Sequence, residues 1–267
     1  MKLGSDTVAV ITGGASGIGR ASALALARKG VAAVVVADVN QERMREAVAL
    51  LEAEGAGAHA IACDVTRDDQ VEALAAQAVD RFGHVDLLMS NAGIVVGGPP
   101  EQIPMRDWEL IVQVNLLGVV RCARAFLPHM IKRGSGHIVS TASFAGLVAH
   151  NPLTIPYDMT KHGVVGFSAG LALYARPKGI GVSVLCPGYV ATNLPESYRF
   201  HGVQPEEPPI PDRVTQPEEV ADRVIAAVEA GRFLILSQDE HLAVVQKRWR
   251  DIDAHIARQL EILNSAS

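Results

Sequence analysis

The chain of 267 residues is long enough to bury a sizeable core, and 49% hydrophobic content with only 4% aromatic residues suits parallel strands covered by helices. A net charge of −5 and a pI of about 6.0 advertise no basic face, so neither nucleic acid nor a membrane is expected as a partner. Cys63, Cys122 and Cys186 are odd in number and lie in apolar segments, which fits buried thiols in a reducing compartment, and no Cys or His pair has the spacing of metal ligands.

The N-terminus holds no apolar stretch of signal-peptide length, and polar residues or glycines interrupt the later apolar runs before membrane-spanning length. A cytoplasmic protein is expected. Thr7 to Thr12 (TVAVIT) is a β-branched run followed by glycines, an alanine- and leucine-rich helix up to Gly30, and a second apolar strand from Ala33 to Ala37 that ends in Asp38. Gly13, Gly17 and Gly19 lie between strand and helix, and an acid follows Gly19 by nineteen residues, which is the context of a dinucleotide fingerprint. Glycine lets the backbone of this turn, Gly13 with Ser16, Gly17, Ile18 and Gly19, approach a pyrophosphate at the positive end of the helix dipole. Asp38 can accept hydrogen bonds from an adenosine ribose and repels a 2′-phosphate; neither Ser16 nor Val39 offers a cation, so NAD is expected rather than NADP.

A helix is predicted from Asn40 to about Glu54, and a third strand runs from His59 to Asp64. Asp64, with Val65 after it, either binds the adenine edge or caps the next helix, Arg67 to Phe82. A fourth strand, Asp86 to Ser90, ends in Asn91, Ala92 and Gly93, whose small size lets a cofactor lie on the backbone. Prolines 99, 100 and 104 precede a long helix from about Met105 to Ile131. Asn115 falls inside it among apolar residues, where an amide is costly unless hydrogen-bonded; it is either a satisfied core amide or part of a site.

The fifth strand, from Gly136, leads into Ser143, and Pro156 suits the first turn of a helix beginning near Tyr157. Tyr157 and Lys161 are four apart and share a helical face. A free phenol has a pKa of about 10, and lowering it to about 7 takes roughly 4 kcal/mol, which a close ammonium and one helpful neighbour can supply. Ser143 can hydrogen-bond the same oxygen as charge develops there.

Gly179 to Thr192 reads as a sixth strand with a turn at Pro187 and Gly188. Residues 194 to 216 have no periodicity and are expected to be a substrate loop. His150, Leu153, Tyr189, Leu194 and the loop through Phe200 are expected to line a mostly apolar pocket, although His150 is equally an exposed loop residue. A helix from Pro217 to Ala230, a seventh strand from Phe233 to Leu236 and one C-terminal helix over residues 239 to 264 follow; the last carries an apolar stripe that covers its own subunit or a partner. The whole predicts one domain over residues 1–267: a Rossmann-type doubly wound parallel sheet of about seven strands, helices on both faces, and a C-terminal helical extension.

From Thr7 to about Leu236 these motifs resemble the short-chain dehydrogenase/reductase family: TGGASGIG at Thr12 to Gly19, NAG at Asn91 to Gly93, Asn115, Ser143, YDMTK at Tyr157 to Lys161, and PGYVAT at Pro187 to Thr192. Ser90 departs from it, standing where the family often has asparagine. The resemblance implies that Tyr157 is the general acid/base, that Lys161 lowers its pKa and holds the nicotinamide ribose, and that Ser143 orients the reacting oxygen. It also implies that Asn115 holds a relay water, that Val190 and Thr192 contact the nicotinamide, and that the chain forms a homo-oligomer, tetramer or dimer. The expected reaction is NAD-dependent interconversion of a secondary alcohol and a ketone on a moderately hydrophobic substrate. The rivals are an NADP-dependent ketone or 3-oxoacyl reductase and a non-catalytic NAD sensor on the same fold.

Overall fold

The computed structural model describes residues 1–149, 151–202 and 214–265. In chain order the principal elements are β1 (Val8–Thr12), α1 (Gly17–Arg28), β2 (Ala33–Asp38), α2 (Gln41–Ala53), β3 (Gly57–Ala62), α3 (Asp68–Phe82), β4 (Leu87–Ser90) and β5 (Val95–Gly97). They continue with α4 (Met105–Ile111), a π-helical turn (Val112–Leu117), α5 (Gly118–Arg133), β6 (Gly136–Thr141), α6 (Ile155–Ala175) and β7 (Ile180–Cys186). The chain closes with β8 (Tyr198–Phe200), α7 (Pro217–Ala230), β9 (Leu234–Leu236), α8 (His241–Arg250) and α9 (Ile252–Ser265).

Among the described residues seven strands form one parallel sheet in the order β3-β2-β1-β4-β6-β7-β9. Side chains alternate across a strand, so each strand feeds two cores. Ala9, Ile11, Val34, Val36, Leu87 and Met89 pack with α1, α2 and α7 on one face, while Val8, Val10, Val35, Ala37 and Leu88 pack with α3, α5 and α6 on the other. Both faces being covered, the strands read as continuous apolar runs. The order reverses between β1 and β4, and a crevice at that switch point, beyond the carboxyl ends of the strands, is where this architecture binds ligands.

The long helix expected from Met105 to Ile131 is one helical run interrupted by the π-turn, in which the Gly118 N–H reaches back to the Gln113 carbonyl. Arg121 Nη1 also donates to that carbonyl at 3.2 Å, satisfying a lone pair that the altered ladder leaves open. By length and hydropathy the run Met105–Arg133 is apolar enough to cross a membrane, contrary to the sequence reading that no run reaches that length. Its Ile111, Asn115, Cys122, Phe126 and Met130 are buried inside the protein.

The C-terminal helix is two helices rather than one. Asp251 between them is extended (φ −154°), and its carboxylate accepts from the Ala254 N–H at 2.9 Å, so an N-cap restarts the helix where the apolar spacing suggested continuity. Of the expected stripe only Val245 is buried; Leu242, Trp249, Ile252, Ile256, Leu260 and Leu263 are exposed.

Candidate active site

At the crevice the glycine turn, the end of β4 and the end of β6 are joined through Asn91. Its backbone N–H donates to Thr12 Oγ1 (3.1 Å), its Nδ2 to the Gly13 carbonyl (3.2 Å), and its Oδ1 accepts from Thr141 Oγ1 (3.2 Å). Gly13 has φ +63°, and a Cβ there would lie 2.8 Å from Ala92 Cα; Gly17 has φ +50°, and a Cβ there would lie 3.0 Å from Thr192 Cβ. These positions leave bare backbone at the mouth of β1 because no side chain fits. Ser16 is extended and precedes the first residue of α1, Ile18 is half-buried, and Gly19 is buried so closely against the Gly13 carbonyl that a side chain has no room.

Asp38 reaches back to this turn, its Oδ2 accepting from the Ala15 N–H (3.3 Å) and its Oδ1 from the Asn40 N–H (3.0 Å). Asp64 does not cap α3, which starts four residues later; its Oδ1 accepts from the Thr66 N–H (2.9 Å), while its own N–H donates to Gln70 Oε1 (2.8 Å). The Val65 side chain is buried against Gly118 at the start of α5.

Tyr157, Lys161, Ser143 and Asn115 converge. Ser143 Oγ accepts from the Ala145 N–H (3.1 Å), lies 3.5 Å from the Pro187 carbonyl, and faces the Tyr157 phenol closely enough to favour its charged form. Lys161 is buried, its Nζ donating to the Thr141 carbonyl (2.9 Å) and sitting 5.5 Å from the centre of the Tyr157 ring. Asn115 is fully buried and satisfied: Oδ1 accepts from the Ile94 N–H (2.9 Å), and Nδ2 donates to the Ile94 carbonyl (2.9 Å) and Thr160 Oγ1 (3.3 Å). Gly93 lies between the two, since a Cβ there would be 3.4 Å from Asn115 Oδ1 and 3.6 Å from Lys161 Nζ.

The expected lowering of the Tyr157 phenol does not hold in this state. Burial pushes it up to about 12, against the Ser143 hydrogen bond, and pulls Lys161 down to about 8. Desolvation wins because the ammonium spends its contact on the Thr141 carbonyl and not on the phenol oxygen. Asp158, next to Tyr157 and also buried, is pushed up to about 7 by burial against a hydrogen bond from Thr154. The sequence reading gave Asp158 no role.

On the far wall, Pro187 and Gly188 turn beneath the C-terminal segment: the Gly188 N–H donates to Ser237 Oγ (2.9 Å), and His241 stacks on Phe144 at 4.2 Å. Val190 bridges to Thr215, and the Leu194 N–H donates to Thr192 Oγ1 (3.3 Å). The segment expected to be an unpatterned loop starts with a 3₁₀ turn, Leu194–Ser197, and β8, which pairs in parallel with β5 in a second small sheet. Asp107 in α4 anchors β8, lying 3.2 Å from Arg199 Nη1 and 3.0 Å from His201 Nε2. Tyr189 and Leu194 are exposed near this wall, the Leu153 carbonyl accepts from the Gly98 N–H (2.8 Å), and His150 and residues 203–213 lie outside the described residues.

Sequence reasoning missed a cation near Asp38. Arg43, in the first turn of α2, feels the Asp38 charge while its Nη2 donates to Glu196 Oε2 at 2.6 Å. Its place three residues after the helix cap was the available signal.

A family model described as short chain dehydrogenase matches residues 7–201. The chain is 35% identical over 217 residues to a 3-oxoacyl-acyl-carrier-protein reductase of Synechocystis, covering 81% of this chain and 87% of the relative. It is 33% identical over 252 residues to the 1-deoxy-11-beta-hydroxypentalenate dehydrogenase of Streptomyces exfoliatus, covering 93% and 89%. Among solved structures, a short chain dehydrogenase/reductase from Burkholderia phymatum in complex with NAD superposes with a TM-score of 0.86 at 34% identity, covering 95% of this chain and 96% of that one.

Proposed function

The chain belongs to the short chain dehydrogenase family of oxidoreductases, and within it we propose an NAD-dependent enzyme that interconverts a secondary alcohol and a ketone on a moderately hydrophobic small molecule. The observation that carries this reading is the convergence of Tyr157, Ser143 and Lys161 beside the bare backbone of Gly13, Gly17 and Gly93. Backbone left uncovered by side chains is what lets a dinucleotide approach closely.

In this reading the turn Gly13–Gly19 holds the pyrophosphate, Asp38 the adenosine ribose, Asp64 and Val65 the adenine side, and Asn91, Ala92, Gly93, Pro187, Gly188, Val190 and Thr192 the nicotinamide end. A bound dinucleotide supplies the hydride acceptor or donor. Tyr157 takes the substrate hydroxyl proton during oxidation and returns it to the carbonyl oxygen during reduction. Ser143 donates to that same oxygen as charge develops. Lys161, near 8 and therefore mostly an ammonium at neutral pH, would hold the nicotinamide ribose, and its charge 5.5 Å from the Tyr157 ring would favour the phenolate in the loaded site, against the burial that raises the phenol in this state. Asn115 fixes the Ile94 backbone and places the relay water beside Lys161.

The chain works as one catalytic domain in the cytoplasm and assembles as a dimer or tetramer. NADP is the second reading, favoured by the proximity of Arg43 to Asp38 and by the 3-oxoacyl reductase relative. Reduced-cofactor formation from NAD and, separately, NADP over a panel of secondary alcohols tests both: NAD-specific turnover supports the first, NADP-specific turnover the second, and tight NADH binding without turnover on any substrate supports a sensor.

A further inference from the structure

Three charges meet at the adenosine end of the crevice. Asp38 is fixed by the Ala15 and Asn40 N–H groups, and the Asn40 side chain in turn caps α2 by accepting from the Arg43 N–H (3.0 Å), so Arg43 is carried to the same corner. Its guanidinium turns to Glu196 at 2.6 Å. Glu196 Oε1 is held separately by Asn193 Nδ2 at 2.6 Å, within a 3₁₀ turn that Ser197 Oγ closes on the Leu194 carbonyl (2.7 Å). That turn is seated where Thr192 packs on Gly17. Glu196, in the segment after Thr192, thus pairs with a cation that also feels the Asp38 charge.

Resting on the dinucleotide reading above, we infer that Glu196 is a cofactor-selectivity residue, acting by sequestering Arg43 so that the corner keeps a net negative charge against a 2′-phosphate. With Asp38 and Glu196 ionised and Arg43 charged, the three groups sum to one negative charge, and Glu46 adds to it from the next turn of α2. A phosphate monoester carries about −1.5 to −2 charge at neutral pH and is repelled. Without the Glu196 charge the guanidinium is free to meet the phosphate or to pair with Asp38; in either case the repulsion falls. Glu196 foremost, then Asp38 and Glu46, raise Arg43 above its ordinary value. The selectivity device therefore has a second part, about 150 residues downstream of the first, on a segment whose other duty is toward the substrate.

The test is fluorescence titration of NADH and NADPH against the parent, Glu196→Gln, Arg43→Gln and the double variant. Glu196→Gln raises NADPH affinity relative to NADH roughly tenfold at low salt, and the gain shrinks as salt rises because the groups are exposed. Arg43→Gln moves the ratio the opposite way, and in the double variant the Glu196 effect is much smaller, since the guanidinium that its removal would release is absent. An unchanged ratio in Glu196→Gln, or a gain undiminished in size without Arg43, overturns the inference while NADH binding by the parent leaves the dinucleotide reading standing. Failure of the parent to bind either cofactor overturns both.

Discussion

Replacing Asp158 with Asn isolates the cost of a buried carboxylate beside the reacting phenol. Asp158 is only 6% exposed and its carboxylate accepts from the Thr154 hydroxyl (3.1 Å), a neutral donor that does not offset its burial, so its pKa is held at about 7 against an ordinary 3.8. Because the folded pKa lies above the unfolded one, the folded chain binds more protons between those values. Asp158 therefore imposes little cost below the unfolded pKa, and stability falls as pH rises toward 7. A shift of about three units corresponds to an upper bound of about 4 kcal/mol at high pH. Asn keeps the shape and the acceptor for Thr154 without the charge. Thermal unfolding of both proteins at about pH 5 and about pH 9 should show the variant the more stable at both values, with an advantage larger by several degrees at the higher, because most of the cost is incurred between pH 5 and the folded pKa of about 7. A Tm difference that is the same at both pH values would refute the argument that burial of an ionising carboxyl sets this cost.

Gly13→Ala forces a Cβ residue to φ +63° and to within 2.8 Å of Ala92 Cα, so urea unfolding should show a loss of at least about 2 kcal/mol; a neutral result would mean that the turn relaxes freely. Asn115→Leu leaves the Ile94 N–H and carbonyl without their partner in a fully buried position, and should cost about 3 kcal/mol in the same assay, with less than about 1 kcal/mol contradicting the bonded role. Asp38→Ala should narrow the preference for NAD over NADP in binding titrations, and unchanged discrimination would show that the carboxylate does not face the ribose.

Much of the sheet was legible because parallel strands buried on both faces are written as short β-branched runs, and because the glycines after β1 are followed at a fixed interval by Asp38. Tyr157 and Lys161 were legible because helical spacing alone puts them together. The π-turn was not, since an extra residue in one turn leaves no mark in composition, yet it is what carries Asn115 to the Ile94 backbone. Pairing of β5 with β8 was equally hidden: three-residue strands have no period, and their partners are about one hundred positions apart. The direction of the Tyr157 shift was misjudged because spacing says that a cation is near but not that it is bonded elsewhere and buried with the phenol. The break at Asp251 did leave a signal, a helix-capping residue inside an apolar stripe, which the stripe outweighed.

The most direct test of the account is Tyr157→Phe, assayed for alcohol-dependent NAD reduction alongside NADH binding. Removing one hydroxyl from a residue that provides proton transfer should lower turnover by roughly a hundredfold to ten-thousandfold, with NADH affinity within a few-fold of the parent. Turnover within a few-fold of the parent would contradict the assignment of Tyr157 as the acid/base on which the mechanism rests.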